Sequence, residues 1–295
     1  MRKPTATALF ETVRWTVLGA ALSLLALPAS AAPFSFSTGN VNNSIAVATR
    51  PDAGGKFEIE AADDFVLTGS LTSLTSATFT GLLTGAAPTV GEVRVEIYRV
   101  FPNDSNVART SGPPTFSTPQ VPTRVNSPSD VALDDRDSTV GGGLTFSTTV
   151  LNGTFTALNS VQPGGIHPIP GQTTLGNGSV TGTEVLFTIT FTDPFDLPAD
   201  HYFFIPQVQV TGGEFLWLSG SRPIVPPGTP FLPDLQSWTR DAMLDPDWLR
   251  VGTDIVGSGT FNGAFTLAGA VPEPGTALLF GAGAIALWWR RRRST

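Results

Sequence analysis

The sequence predicts an all-β protein: an antiparallel β-sandwich with long Pro/Gly-rich loops, flanked by an N-terminal signal helix and a C-terminal transmembrane helix. Three observations carry this. β-Branched and aromatic residues recur in short alternating runs, 25 prolines and 31 glycines punctuate them, and no window of ten or more residues between positions 33 and 270 shows a helical hydrophobic period. A jelly roll is one form that such a sandwich can take.

Residues 1–31 read as a secretory signal peptide. Arg2, Lys3 and Arg14 make a basic leader, WTVLGAALSLLAL an apolar core, and Pro28 breaks that core ahead of a small-residue site. Ala29 and Ala31 fit the A-x-A pattern for signal peptidase, with cleavage before Ala32. The apolar core is short for an uncleaved membrane span.

The segment 32–270 is expected to be the extracytoplasmic sandwich. Strands are expected at 56–67, 76–83, 92–101, 144–158, 184–192, 201–210, 213–220 and 258–269. Val93, Val95 and Ile97 alternate with Arg94, Glu96 and Tyr98, the period of two of a half-buried strand. Turn-rich segments at 101–130, 159–179 and 220–234 are too dense in Pro and Gly for interior strands and read as loops. A boundary between two β domains within 101–140 is the alternative to a single domain.

Gly275 to Trp289 is an uncharged run of fifteen residues. As a helix it measures about 22 Å, against roughly 30 Å of hydrocarbon. Such a segment spans by thinning the bilayer or snorkelling its flanks. Trp288 and Trp289 stand at the interfacial belt, and the arginines behind them are retained on the cytoplasmic side, which leaves the domain outside.

Pro272, Glu273 and Pro274, then that apolar span, then Arg290, Arg291, Arg292 and Arg293 closely resemble the PEP-CTERM sorting signal of Gram-negative bacteria. The resemblance implies that a membrane enzyme, exosortase, recognises the tail, cuts near the Pro-Glu-Pro motif and releases or transfers the protein to the cell exterior. It further implies a bacterium that makes exopolysaccharide, biofilm or floc. It covers residues 271–295 and says nothing of the rest. Physically, Pro272 and Pro274 hold the chain extended, the conformation a protease subsite binds, and Glu273 keeps the segment out of lipid.

Charge narrows the partners. The whole chain carries a net charge of -7, but seven of its 17 basic residues lie in the end segments, so between Ala32 and Ala270 22 acidic side chains face 10 basic ones. Such a domain repels nucleic acid and anionic lipid. With no cysteine, disulfides, thiolate metal sites and a cysteine nucleophile are excluded.

Candidate chemistry is thin. His167, between prolines, reads as a loop residue, and His201 as a strand-edge residue; neither sits in a metal-spaced pair, and no G-x-S-x-G elbow or Walker-type loop occurs. A serine hydrolase through His201 and a two-carboxylate glycosidase remain open as alternatives. Asp134, Asp135 and Asp137, with Asp130 nearby, form the densest acidic cluster; in a flexible loop their spacing suits calcium, though Arg136 stands among them. Trp217 reads as core. Trp238 and Trp248, flanked by Arg240, Asp241, Asp247 and Arg250, are candidate glycan-binding platforms or core residues.

The expected protein is exported, passes through an inner-membrane intermediate and ends at the cell surface or outside the cell. Its expected role is structural or adhesive, associated with exopolysaccharide or biofilm. A carbohydrate-binding module and a polysaccharide hydrolase are the alternatives. The expected partners are signal peptidase and exosortase as processing enzymes, exopolysaccharide and, before processing, the membrane; no cofactor is expected beyond the calcium alternative.

Overall fold

The computed structural model describes residues 31–109, 125–166, 173–224, 235–257 and 259–272. Residues 33–270 form one compact unit. The chain runs β1 (Ala32–Ser37), β2 (Val41–Ala48), β3 (Ile59–Leu83), β4 (Thr89–Arg99), β5 (Asp134–Asp137), β6 (Leu144–Ala157), β7 (Asn159–Val161), β8 (Val180–Thr211), β9 (Phe215–Gly220), β10 (Trp238–Asp241), β11 (Leu249–Arg250), a π-helical turn (Val251–Val256) and β12 (Phe265–Val271). The signal peptide, apart from Ala31, and the span 275–289 lie outside the described residues. Among the described residues no helix is long and apolar enough to cross a membrane.

Two strands organise the sandwich. β3 has 25 residues and β8 has 32; at about 3.3 Å per residue a straight β8 would reach about 100 Å, far beyond a domain of this size. Both therefore bend. The β3–β8 ladder runs antiparallel from the Asp63–Phe204 pair to the Leu83–Thr183 pair, with register shifts between Leu67 and Leu71 and between Leu74 and Ser76. One layer contains β6, the first half of β8, the second half of β3, then β12 and β1. The other contains β5, β4, the second half of β8, the first half of β3, then β10 and β11. The sheet has curled over so that its two longest strands serve both layers.

The core fills the fold between them. Phe79 stacks on its cross-strand partner Phe187 at 4.9 Å between centroids, Phe204 from the opposite layer stacks on Phe265 at 4.9 Å, and Phe79 meets Phe204 at 6.4 Å. Trp217 closes the cluster edge-on against Phe204 and Phe265, its indole N–H donating to the Ala264 carbonyl at 3.0 Å. Alternation does the sorting: Phe79, Phe187 and Leu267 point inward, so Thr78, Thr188 and Thr266 beside them point outward.

Several expectations are revised. β1, β2, β5, β7, β10 and β11 form where no strand is expected from the sequence, and β7 lies inside the segment 159–179 assigned to loop. β7 pairs parallel to β2, a departure from a purely antiparallel sheet. His201 is not at a strand edge: β8 is flanked there by β3 and β4, and the residue is fully buried.

Candidate functional site

One cluster of buried ionisable groups pairs internally inside the sandwich. Glu60 on β3 lies directly across from Arg240 on β10, whose Nε and Nη2 both hold its carboxylate. Tyr98 on β4 donates its hydroxyl proton to Glu60 at 2.7 Å and accepts from Arg240 Nη2 at 2.9 Å. Burial and then the Glu60 carboxylate push the Tyr98 hydroxyl far above its usual range. Glu96 stands next to this group. Burial first, then the Glu60 and Glu58 carboxylates and a hydrogen bond to Glu60, raise its carboxyl well above the ordinary glutamate value. At 3% and 7% exposure neither Glu60 nor Glu96 is open to a substrate.

Trp248 belongs to the same network. Arg240 lies over its ring at 4.3 Å from the centroid, Tyr98 meets it edge-on, and its indole N–H donates to the Ser129 carbonyl at 3.1 Å. Trp238 packs in the same apolar cluster with Ala62, Phe203 and Leu235. Each tryptophan is 2% exposed, so both are core residues, one of the two readings raised for them, and neither presents a flat indole face to a sugar. Their polar neighbours Arg240, Asp241 and Asp247 are themselves buried.

His201 Nε2 lies 2.6 Å from Asp64 Oδ2, and Asp64 Oδ1 accepts the Leu235 N–H at 2.8 Å. Both side chains are sealed from solvent, so the pair ties a crossing segment to β3. His167 is outside the described residues.

Asp134, Asp135 and Asp137 lie on strand β5, whereas a flexible loop was expected. Consecutive residues of a strand point to opposite faces, which separates Asp134 from Asp135 and Asp137. Arg136 Nη1 pairs with Asp134 at 2.6 Å, and Asp137 Oδ1 accepts from the Thr139 N–H at 2.7 Å. Among the described residues no group of three or more His, Asp or Glu side chains is placed to hold a metal ion.

What the outer surface does offer was not singled out from the sequence. On the layer containing β6, β8, β3 and β12, register lines up hydroxyl side chains in cross-strand rows. Ser147 faces Thr188, which faces Thr78, which faces Thr266; the next row is Thr145, Thr190 and Ser76. Thr145, Ser147, Thr188 and Thr190 are exposed. The Thr78 and Thr266 hydroxyls are 2.7 Å apart. At one end this face deepens into a groove of about 360 Å³. Its walls are Thr78, Thr80, Leu151, Glu184, Leu186 and Thr266, with the Gly39–Val41 turn on one side. Glu184 is 5% exposed and accepts a hydrogen bond from the Asn152 side-chain amide. The available signal was the repeated Phe-Thr alternation in SATFT, LFTITFT and FTLAG.

The described domain is a β-sandwich in which Glu60, Arg240 and Tyr98 form one buried cluster, Asp64 and His201 another, and one outer face carries rows of hydroxyl side chains. Residues 270–293 match the PEP-CTERM protein-sorting motif, which makes this chain an exosortase-sorted exported protein that passes through a membrane-anchored intermediate. The match takes in Pro272, Glu273, Pro274 and Arg290 to Arg293. Of these only Pro272 is among the described residues, exposed just after β12; Ala31 is exposed just before β1, and Ala29 is outside the described residues. No curated protein and no solved structure matches the chain.

Proposed function

We propose that this protein is a non-catalytic structural or adhesive component of an exopolysaccharide-containing matrix at the cell surface or outside the cell. The observation that carries this reading is the sorting motif at 270–293, following a domain in which Glu60 with Arg240 and Asp64 with His201 are buried pairs. An enzyme needs acids, bases or nucleophiles open to a substrate. The burial of Glu60, Glu96 and His201 supports the non-catalytic reading.

The test is fractionation of the producing cells with an antibody to the β domain, combined with mass spectrometry of the exported protein. The expected result is recovery in the washed matrix, with the N-terminus at Ala32 and Arg290 to Arg293 absent. Recovery solely in the cytoplasm, or release of reducing sugar from matrix polysaccharide by the pure protein, would sink the reading.

A further inference from the structure

We infer that the outer groove over Thr78, Thr266 and Glu184 binds a chain of an uncharged polysaccharide; this rests on the matrix role above and gives it a ligand class and an address. The first argument is charge. Of the side chains lining the groove only Glu184 is ionisable, and no lysine or arginine is among them. In a domain with 22 acids against 10 bases, a buried carboxylate at the base of a groove rejects phosphate, sulfate and uronate. A single carboxylate is also too few ligands for a hard cation.

The second argument is hydrogen-bonding capacity. An ionised carboxylate has room for about four donors, and Glu184 takes one from Asn152. Sugar hydroxyls supply such donors, and threonine hydroxyls can accept from or donate to them. Leu151 and Leu186 give apolar contact for the C–H faces of a ring. The third argument is repetition. The Ser147, Thr188, Thr78 and Thr266 row repeats a hydroxyl-bearing residue on four successive strands, whose backbones lie about 4.8 Å apart, a spacing close to one sugar ring, with the hydrogen-bonded Thr78 and Thr266 hydroxyls acting as a pair. A polymer of repeating hydroxyls laid across the strands meets the same group at each step, whereas a monosaccharide would use one end of the face.

The experiment is affinity electrophoresis of the protein purified from the cell exterior, in gels containing a soluble neutral glucan, a neutral galactomannan or anionic alginate. The expected result is retardation by at least one neutral polymer and none by alginate. Thr188→Glu places a charge on an exposed position of the row, and Glu184→Gln keeps an acceptor for Asn152 while removing the carboxylate. Each should weaken the apparent Kd at least tenfold with an unchanged melting temperature. Lack of retardation by every neutral polymer, equal retardation by alginate, or neutral binding indifferent to both substitutions overturns the inference. Matrix recovery of a protein that fails in the gels rejects the groove and leaves the matrix role standing; binding by a protein absent from the matrix does the reverse.

Discussion

Glu96 keeps its proton in the native state at pH values where a free glutamate has lost it, because burial and the carboxylates of Glu60 and Glu58 oppose a further negative charge. The native state thus binds more protons than the unfolded chain once pH exceeds the unfolded value of about 4.3. Stability from this group is complete below that value and is lost as pH rises through the raised native value. Glu58, Asp241 and Asp245, also raised chiefly by burial, act in the same direction. Glu96→Gln should therefore flatten the fall in melting temperature that this linkage produces as pH rises above the unfolded value. Parallel curves for the two proteins would show that Glu96 does not titrate as its surroundings dictate. The tryptophans permit a paired comparison. Trp248 donates to Ser129 and carries Arg240 on its face, whereas the Trp238 indole nitrogen has no hydrogen-bond partner among the described residues. In urea unfolding, Trp248→Phe should cost about 1–2 kcal/mol more than Trp238→Phe. Neither role was legible from residue type. The core reading was available for both, but the Arg240–Glu60 pair that sets Trp248 apart was not, because its members lie far apart in sequence.

Among the elements, β4 was legible because Val93, Val95 and Ile97 alternate cleanly, and β9 because its apolar run is long, whereas the two strands expected at 184–192 and 201–210 are parts of the one strand β8. β5 was not, since a run of Asp-Asp-Arg-Asp has no strand propensity of its own. It is held by pairing with β4, from Arg94 with Asp137 to Ile97 with Asp134, and by Arg136 packing over Phe195 at 4.5 Å. β1 escaped notice although Phe34 and Phe36 pack inward against the core, because it directly follows the expected cleavage site. The outward hydroxyl rows were hidden for a different reason: their members come from four strands, and only register unites them. Within β3, Gly81 is required by close approach. A Cβ there would stand 2.3 Å from the Phe215 ring and 2.5 Å from the Leu216 carbonyl oxygen, where β9 pairs with the end of β3. Gly81→Ala should destabilise by about 1–3 kcal/mol through overpacking, read as a lower urea midpoint. An unchanged midpoint would mean that β9 can move away without cost.

For the whole molecule, the expected sandwich is observed, but its connection between layers is set by distant pairing that no local pattern encodes. Because β3 and β8 run through both layers, neither layer can unfold while the other keeps its ladder. Calorimetry should give one transition with equal calorimetric and van't Hoff enthalpies; two separable transitions would contradict the shared-strand architecture. β12 has a mechanical consequence. It carries Thr266 on the groove, is flanked by β3 and β1, and runs directly into Pro272 of the sorting segment. While the chain is held by that segment, tension on the domain enters along the axis of this one strand. It loads the hydrogen bonds on both flanks side by side, in shear. The protein thus resists being pulled from its tether with many bonds at once, where a strand peeled from its end would yield them singly.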